Sequence, residues 1–566
     1  MKKIICLLLI MLITTSFTGC KQNTGMVGDS YLLTIYRARS SGMADGVDDA
    51  KVTEALENKF YKDTGTKIKL VMKMYTNTDL VNQVDVNYSN KNQSMEAVIH
   101  YMSEDAGSAI IKYARDYNFS AKDLSQYVEQ YGQNILAKIK ENDIGHYAER
   151  SGYFNIEGEY YLNALTSHEK EGGFGILIRK DYMEKVKNIT GLNPDDYDIN
   201  NESCKNMTVE EFDTLMRAIK QNITGIQYPV SGFAWDLART IGSAYGVDGM
   251  NYGFNEEDKF VPTQFTTDFD RYLDLMYQWN KDGIWEKDNI SMTDELRRTN
   301  FISGLSATFM SYSIPEQIIL INRTFKEANS NGELMVLSPL ASSDREGNPV
   351  LDDNGDRVVN GSLKTARAWM GMIVPYRAKN TDVLIKFLDW MYSDVENYEL
   401  AKYGIKGEHW IDGEDKTIGD KTLKTWAYPD AKADQFLNKP PYSGMWELLP
   451  NINVSDRISA HYNTEESNWY YNLYYNVPNF SNKTEGLWVP SPSRDLAVQA
   501  AEIDGEYVAS IRGKAWAGIL GEGGKTPVEI LATYKESCYN DFDEYFNFLN
   551  ENYNNSLEYF AEKFGA

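Results

Sequence analysis

The sequence is poor in the residues that usually bind metal ions. Its 566 residues include only four cysteines and five histidines, and none of them shows the HExxH or paired-cysteine spacing of a zinc site. Clusters of Lys and Arg are also missing, and the formal net charge is −25. Nucleic acids are bound chiefly by cations that neutralise phosphates, so this charge argues against such a partner. We therefore expect no metal, no cofactor and no nucleic acid.

Long apolar runs are absent too, apart from one short run at the N-terminus. Lys2 and Lys3 precede the apolar stretch 4–13. A membrane-spanning helix needs about 20 apolar residues, whereas the apolar part of a secretory signal needs roughly 7 to 15. The pattern predicts that residues 1–19 are a cleaved signal peptide.

Cys20 follows that run in the tetrapeptide FTGC. This pattern resembles the bacterial lipoprotein signal, in which the cysteine is diacylated, although Phe17 replaces the aliphatic residue usual there. Two acyl chains hold a protein at a membrane surface without a spanning helix. An ordinary signal peptide with an incidental cysteine is the alternative. We expect a lipidated flexible tether over residues 20–29 and a location on the outer face of the cytoplasmic membrane.

Strand and helix patterns alternate along the chain. YLLTIYRA and KIKLVMKMY are typical of strands, and between them Val52, Leu56 and Phe60 recur on one face of a helix. Further along, Thr208 and Glu211 have the spacing of a capping box at the start of another helix. Alternating elements of this kind favour mainly parallel sheets flanked by helices. The sequence therefore predicts two α/β lobes.

Several stretches resemble a known family, the extracellular solute-binding proteins of family 1, in the Gram-positive lipoprotein branch that serves sugar ABC importers. GILIRKDYMEKV looks like the family's strand and helix that enter the second lobe, and FISGLSATFMSYS like the segment before its ligand-facing loop. DVLIKFLDWMYSDVENYELAKYGIKGEHW looks like its helix and following turn. The resemblance covers roughly residues 30–440 and is carried by segment order more than by any specific motif.

The resemblance implies a fold and a set of partners. The fold is the type II periplasmic-binding-protein-like fold, with each lobe a mainly parallel sheet and a hinge between the lobes. Lobe 1 is expected over 30–165 plus 366–425, and lobe 2 over 166–365 plus 440–566. The partners are a carbohydrate, two transmembrane permease subunits and their ATPase, and the chain is expected to be a monomer.

Aromatic residues are the positive signal for a binding site. The chain has 11 Trp and 39 Tyr, and flat rings suit the apolar faces of pyranose sugars, while polar side chains bind the hydroxyls. Trp279 and Trp390 lie within helix patterns and are expected in the core instead. Other candidates lie near strand ends, where the ligands of open α/β sheets gather. The predicted ligand-binding residues are Tyr36, Arg37, Tyr101, Glu104, Trp235, Tyr312, Trp369, Trp410 and Trp446.

Two other functions remain open from the sequence. A surface glycoside hydrolase or lyase would need a pair of acids, whose separation in space the sequence cannot give. A passive glycan-attachment lipoprotein would bind without closure of the lobes. Cys204 and Cys538 could form a disulfide or stay free thiols. We expect a binding protein that is not an enzyme, and no catalytic residue is predicted.

Overall fold

The structure is a computed structural model of the chain. It describes residues 25–39, 45–89, 95–101, 122, 124–141, 153–156, 159–163, 165–166, 169–170, 176–247, 252–286, 292–310, 315–344, 346–359, 366–367, 370–429, 440–476, 519, 521–533, 547, 550–551, 554 and 558. Within these ranges, no helix is both long enough and apolar enough to span a bilayer.

The described elements alternate between strands and helices through most of the chain. The strands are β1 Met26–Val27, β2 Ser30–Ala38, β3 Ile68–Tyr75, β4 Ala97–Tyr101, β5 Tyr153–Ile156, β6 Glu159–Asn163, β7 Leu165–Thr166, β8 Glu169–Lys170, β9 Ile176–Arg179, β10 Tyr252–Phe254, β11 Phe260–Pro262, β12 Thr308–Phe309, β13 Leu334–Leu337, β14 Ala366–Arg367, β15 Met370–Ile373, β16 Ile411–Asp412, β17 Lys416–Ile418, β18 Lys421–Ala427 and β19 Arg457–Ser459. The α-helices are α1 Asp49–Thr64, α2 Asn77–Ser89, α3 Ser125–Tyr131, α4 Gln133–Lys140, α5 Lys180–Thr190, α6 Val209–Asn222, α7 Ala234–Thr240, α8 Thr267–Asp282, α9 Asp294–Ile302, α10 Pro315–Ala328, α11 Thr381–Ser393, α12 Val395–Tyr403 and α13 Thr464–Tyr474.

The first sheet has the strand order β1-β2-β4-β15-β7, and β3 also pairs with β2. The pairs β2 with β3 and β2 with β4 are parallel, while β1, β15 and β7 run antiparallel to their neighbours. Parallel neighbours need a crossover connection, and the helices α1 and α2 lie on the connections between β2, β3 and β4. The carboxyl ends of these three strands therefore meet at one edge of the sheet.

A helical stripe covers one face of this sheet. Val52, Leu56 and Phe60 of α1 are fully buried in a core that also contains side chains of β2, β4, β15, α11 and α12. The helix ends at Gly65, whose φ of +72° is left-handed and lets its N–H donate to the carbonyl of Tyr61. The apolar spacing read from the sequence thus gives the buried face of α1.

The second sheet has the strand order β12-β9-β13. Both pairs are antiparallel, which differs from the expected mainly parallel sheet. Ile176 and Ile178 pack in one apolar cluster and Leu177 in another, so both faces of β9 are covered. A strand buried on both faces is a continuous apolar run, and this run does not reveal the direction of its neighbours.

Helix α6, on the second sheet's larger core, begins with the predicted capping box. The Glu211 backbone N–H donates to Thr208 Oγ1 at 3.1 Å, and the Thr208 backbone N–H donates to Glu211 Oε2 at 2.9 Å. Phe212 of the same helix is fully buried. The local sequence therefore fixed both the start and the buried side of this helix.

A third, smaller sheet contains β16, β17, β18 and β19. Helix α13 follows it and packs Trp469 and Leu473 against the second sheet's apolar cluster. Arg323 of α10 donates to both carboxylate oxygens of Glu466 in α13, at 2.7 and 2.8 Å. The third sheet is thereby connected to the second sheet and its cores through α13.

Two connections between described strands lead from one of the first two sheets to the other. The chain leaves the first sheet after β7 to enter β9, and it returns from β13 to β15. On the way, β8 and β14 pair antiparallel, with Ala366 opposite Lys170 and Arg367 opposite Glu169. The two crossing segments are therefore paired with each other.

The expected lobe boundaries differ from the observed packing at two places. Thr166, expected to open the second lobe, pairs with Gly371 in the first sheet. Tyr442 and Trp446, also expected in the second lobe, pack in the first core, whereas Trp469 packs with the second sheet. Residues near position 445 return to a core built mainly from earlier parts of the chain, and no local sequence pattern indicates such a return. The complete lobe boundaries stay a prediction.

The described part of the expected tether is folded. Met26 pairs with Tyr31, and Val27 pairs with Ser30, in the β1–β2 ladder. The carbonyl of Gly25 accepts a hydrogen bond from Asn380 Nδ2 at 2.6 Å. Residues 25–29 therefore belong to the first sheet rather than to a flexible tether, because a partner far along the chain holds their polar backbone.

Candidate functional site

Predicted ligand residues of the first unit gather at one sheet edge. Arg37 of β2 pairs with Ile99 of β4, and two residues further on Tyr101 pairs with Met370 of β15. The carboxyl ends of β2 and β4 thus meet the amino end of β15. Glu104, Trp369 and the side chain of Tyr101 lie outside the described residues, but Trp369 directly precedes Met370 in the sequence.

Arg37 ties three segments together at this edge. Its side chain is buried, and Nη1 donates to the carbonyl of Met445 at 2.6 Å. Nη2 lies 3.8 Å from the sulfur of Met370. Arg37 thus connects β2 with β15 and with the loop that contains Met445, which places that loop beside the sheet edge.

A pair of stacked rings lies on the opposite face of β2. The Tyr36 and Tyr75 ring centroids are 5.9 Å apart with an interplanar angle of 22°. Lys73 Nζ donates to Tyr36 Oη at 2.9 Å. Tyr36 is fully buried, whereas Tyr75 is half-buried at the carboxyl end of β3. Tyr75 was missed in the sequence, although the same strand-end argument that selected Tyr36 would have found it.

Two predicted ligand residues, Trp235 and Tyr312, belong to adjacent segments beside the second sheet. Trp235 lies in the first turn of α7, and its side chain is outside the described residues. The Met310 backbone N–H donates to the carbonyl of Ser231 at 2.9 Å, which joins the end of β12 to the segment before α7. Tyr312 follows Met310 by two residues and lies outside the described residues.

A buried arginine holds these two segments. Arg297 Nη1 lies 3.1 Å from Asp236 Oδ2 in α7 and 3.3 Å from the carbonyl oxygen of Met310. Its guanidinium carbon lies 3.4 Å from the centroid of the Phe233 ring. Arg297 is 0% exposed. The arrangement fixes the start of α7 against the end of β12. It could not be predicted from the sequence, because these partners lie far apart along the chain.

Two further hydrogen bonds hold the segment that precedes α7. The Trp285 Nε1–H donates to the carbonyl of Gly232 at 3.1 Å, and Ser231 Oγ donates to Glu286 Oε2 at 2.9 Å. A Cβ on Gly232 would approach Met310 Cβ to 3.0 Å. A larger residue at position 232 would therefore push α7 away from β12.

Comparison with known proteins identifies the fold. No family model and no curated protein matches the sequence. An extracellular solute-binding protein from Bifidobacterium longum subsp. infantis superposes with a TM-score of 0.62 at 12% identity, covering 94% of this chain and 99% of its own. The S. pneumoniae ABC-transporter substrate-binding protein FusA, in complex with kestose, gives 0.60 at 13% identity, with 93% and 99% covered.

A third solved structure agrees. It is an HMO-binding, ABC-transporter-associated solute-binding protein from B. longum infantis, with a TM-score of 0.58 at 11% identity, covering 93% of this chain and 99% of its own. The chain has the two-lobed fold of solute-binding proteins. We call the first sheet and its core the first lobe, and the second sheet and its cores the second lobe.

Trp446 lies inside the first lobe of this fold. It is 0% exposed, and its Nε1–H donates to Thr53 Oγ1 in α1 at 2.7 Å. Its backbone N–H donates to Tyr442 Oη at 3.1 Å, and burial raises the pKa of the Tyr442 hydroxyl well above its usual value. The ring has no exposed face in this structure, while its role in ligand binding stays a prediction.

Trp410 is buried beside the third sheet. It is 2% exposed, and its Nε1–H donates to the carbonyl of Gly404 at 3.0 Å. The Arg457 guanidinium carbon and Lys406 Nζ each lie 5.0 Å from its ring centroid. Two positively charged side chains therefore lie close to this ring. Its predicted contact with a ligand stays a prediction.

The described residues hold no group of three or more His, Cys, Asp or Glu side chains placed to bind a metal ion. Cys204 is a free thiol, and burial raises its pKa to about 12. Cys538 lies outside the described residues. At neutral pH the Cys204 thiol is therefore protonated.

Proposed function

We propose that this protein is the extracellular substrate-binding lipoprotein of an ABC importer, in family 1 of the solute-binding proteins, and that it captures an oligosaccharide between its lobes. The observation that carries the proposal is the fold, which overlaps solute-binding proteins over at least 93% of this chain. One of these proteins was solved in complex with kestose and another binds HMO. Those proteins are solute-binding proteins rather than enzymes, which supports a binding role here.

The two sheet edges supply chemistry that suits a sugar. Tyr75 offers a half-buried ring beside Tyr36 at the end of β3, and Trp235 lies in the first turn of α7 on the other lobe. Aromatic faces pack against the C–H groups of a sugar ring, while polar side chains bind its hydroxyls. A ligand that contacts both lobes would stabilise the closed form, because only closure satisfies both sets of contacts.

The proposal places the mature chain on the outer face of the cytoplasmic membrane. Acyl chains on Cys20 would hold it there, and its partners would be two permease subunits and their cytoplasmic ATPase. The closed form would be the one that docks on the permease. The chain itself would act as a monomer without a cofactor.

Ligand-dependent stabilisation tests the binding function. The chain without residues 1–20 is heated with panels of mono- and oligosaccharides, and each mixture is also analysed for reaction products. Ligand present at 100 times its Kd should add about 2.7 kcal/mol to the free energy of unfolding. A raised Tm with one glycan class and no products is the expected result. Products would instead identify an enzyme, and no shift with any glycan would contradict the carbohydrate assignment.

Tyr75 gives a sharper test of the site. In Tyr75→Ala the affinity for the stabilising glycan should fall by up to about tenfold, since one aromatic contact contributes roughly 0.5–1.5 kcal/mol. Isothermal titration calorimetry measures the change. Tyr61→Ala is the matched control, because Tyr61 is 47% exposed in the last turn of α1. Equal affinities for both variants would remove Tyr75 from the site.

A further inference from the structure

The first residue that the structure describes, Gly25, is held by contacts with distant parts of the chain. The carbonyl of Gly25 accepts hydrogen bonds from Asn380 Nδ2 at 2.6 Å and from the backbone N–H of Leu32 at 2.8 Å. Asn380 Nδ2 also donates to the carbonyl of Leu32 at 3.0 Å. One buried amide thus fastens the first described residue to the edge of the first sheet, five positions after Cys20.

Chain length limits how far this point can lie from a lipid on Cys20. An extended chain covers at most about 3.6 Å per residue, so the five steps from Cys20 to Gly25 span about 18 Å or less. Acyl chains insert in the membrane next to their cysteine. A lipidated Cys20 would therefore keep Gly25 within about 18 Å of the headgroups.

Gly25 lies at the edge where β2 and β3 begin. The Tyr31 backbone N–H donates to the carbonyl of Lys67, which directly precedes β3. The turn after β15 reaches the same edge, because β15 runs antiparallel to β4. A Cβ on Gly25 would lie 3.1 Å from Lys379 Cβ in that turn.

This edge exposes large apolar and aromatic side chains. We name it the anchor edge, and its exposed members are Val27 at 52%, Tyr31 at 38%, Tyr61 at 47% and Tyr376 at 67%. Exposed apolar side chains that occur singly need no explanation, whereas several on one edge indicate a contact surface. Tyrosine is enriched where proteins meet the membrane interface, because its ring is apolar and its hydroxyl is polar.

The charges of the anchor edge also suit a membrane. Lys67, Arg377 and Lys379 are exposed there, in a chain whose formal net charge is −25. Lys67 forms an ion pair with Asp29, and its Nζ lies 5.4 Å from the Tyr61 ring centroid. Lysine and arginine near a bilayer surface are attracted by anionic headgroups.

We propose that the anchor edge rests on the headgroup layer of the membrane. This rests on the lipid anchor of the proposed function and adds an orientation to it. β2 has nine residues, which at about 3.3 Å each separate the two ends of the strand by roughly 30 Å. The anchor edge lies at the amino end of this strand, and Tyr36 and Arg37 lie near its carboxyl end. The ligand edge of the first lobe is thereby held away from the lipid.

Fluorescence quenching tests this orientation. The full chain, processed and lipidated, is placed in vesicles of phosphatidylcholine and phosphatidylglycerol that contain a headgroup-nitroxide lipid. A thiol-reactive fluorophore is attached in Tyr376→Cys, and separately in Ile189→Cys as the matched control on α5 of the other lobe, where Ile189 is 62% exposed. Labelling of the unsubstituted chain gives the background to subtract. Quenching should be several-fold stronger at position 376 than at position 189.

Three outcomes separate the inference from the proposed function. Strong quenching at position 376 alone supports contact of the anchor edge with the headgroup layer. Equal quenching at both positions, with mass spectrometry showing acylated Cys20, overturns the orientation while the lipoprotein proposal stands. An unmodified Cys20 overturns both the orientation and the lipid anchor. A second variant, Lys379→Glu with Arg377→Glu, should weaken the quenching at 376, and unchanged quenching would remove electrostatic contact from the proposal.

Discussion

Replacing Arg297 with methionine is expected to lower the free energy of unfolding by about 3–5 kcal/mol, because it removes one partner of a buried ion pair. Arg297 is 0% exposed and Asp236 is 3% exposed. The same change should weaken glycan binding, since the guanidinium joins the start of α7 to the carbonyl of Met310. Chemical denaturation measures the first effect and calorimetry the second.

Two further variants identify the cause of that loss. Lys326→Met removes an exposed ion pair with Glu465, whose partners are 49% and 41% exposed, and should cost about 1 kcal/mol or less. Arg297→Met combined with Asp236→Asn removes the buried charge as well and should recover part of the stability. A double variant less stable than Arg297→Met alone would contradict a charge-based explanation. Preserved glycan affinity in folded Arg297→Met would show that the residue does not position the site.

Replacing Trp446 with alanine is expected to cost about 3–5 kcal/mol of stability, because it leaves a cavity in the first core. Trp446 is fully buried and donates a hydrogen bond to Thr53. If the ring acts only through packing, the folded variant should bind the stabilising glycan as tightly as the parent chain. Denaturation curves and calorimetry on the same preparation compare the two quantities.

Trp426 provides the matched control for this experiment. It is half-buried in β18 and stacks on Tyr403 with ring centroids 5.8 Å apart. Trp426→Ala should cost less stability than Trp446→Ala, since fewer of its atoms leave contact. A small stability loss with a large affinity loss for Trp446→Ala would instead support the predicted ligand contact of that residue.

Local patterns in the sequence predicted local structure well. The capping box of Thr208 and Glu211 is present with both of its hydrogen bonds. Val52, Leu56 and Phe60 form the buried face of α1 as their spacing indicated. The parallel pairs of the first sheet also follow the strand and helix alternation. In each case the interacting residues are only a few positions apart in the sequence or belong to one strand–helix–strand unit.

Contacts between distant segments could not be predicted from the sequence. Arg297 and Asp236 are 61 positions apart, and Asn380 reaches Gly25 across 355 positions. Nothing in the neighbouring residues identifies such partners, because a polar side chain in a helix pattern is usually exposed. For the same reason Trp446 was a candidate for the ligand surface, although the ring packs inside the first core. The sequence predicted that Tyr36 and Trp235 lie near the end of a strand or helix. It did not predict which side chains surround them.

The paired crossing segments restrict how the lobes can move. Two independent single-strand linkers would let one lobe bend, twist and slide relative to the other. Here β8 and β14, which lie on two of the crossing segments, are paired, so bending one of these segments carries the other with it. Twisting or sliding would break ladder hydrogen bonds, whereas a rotation that bends the ladder as a unit keeps them. A bend at this ladder would therefore turn both crossing segments together, which is the kind of movement that a hinge closing around a ligand needs.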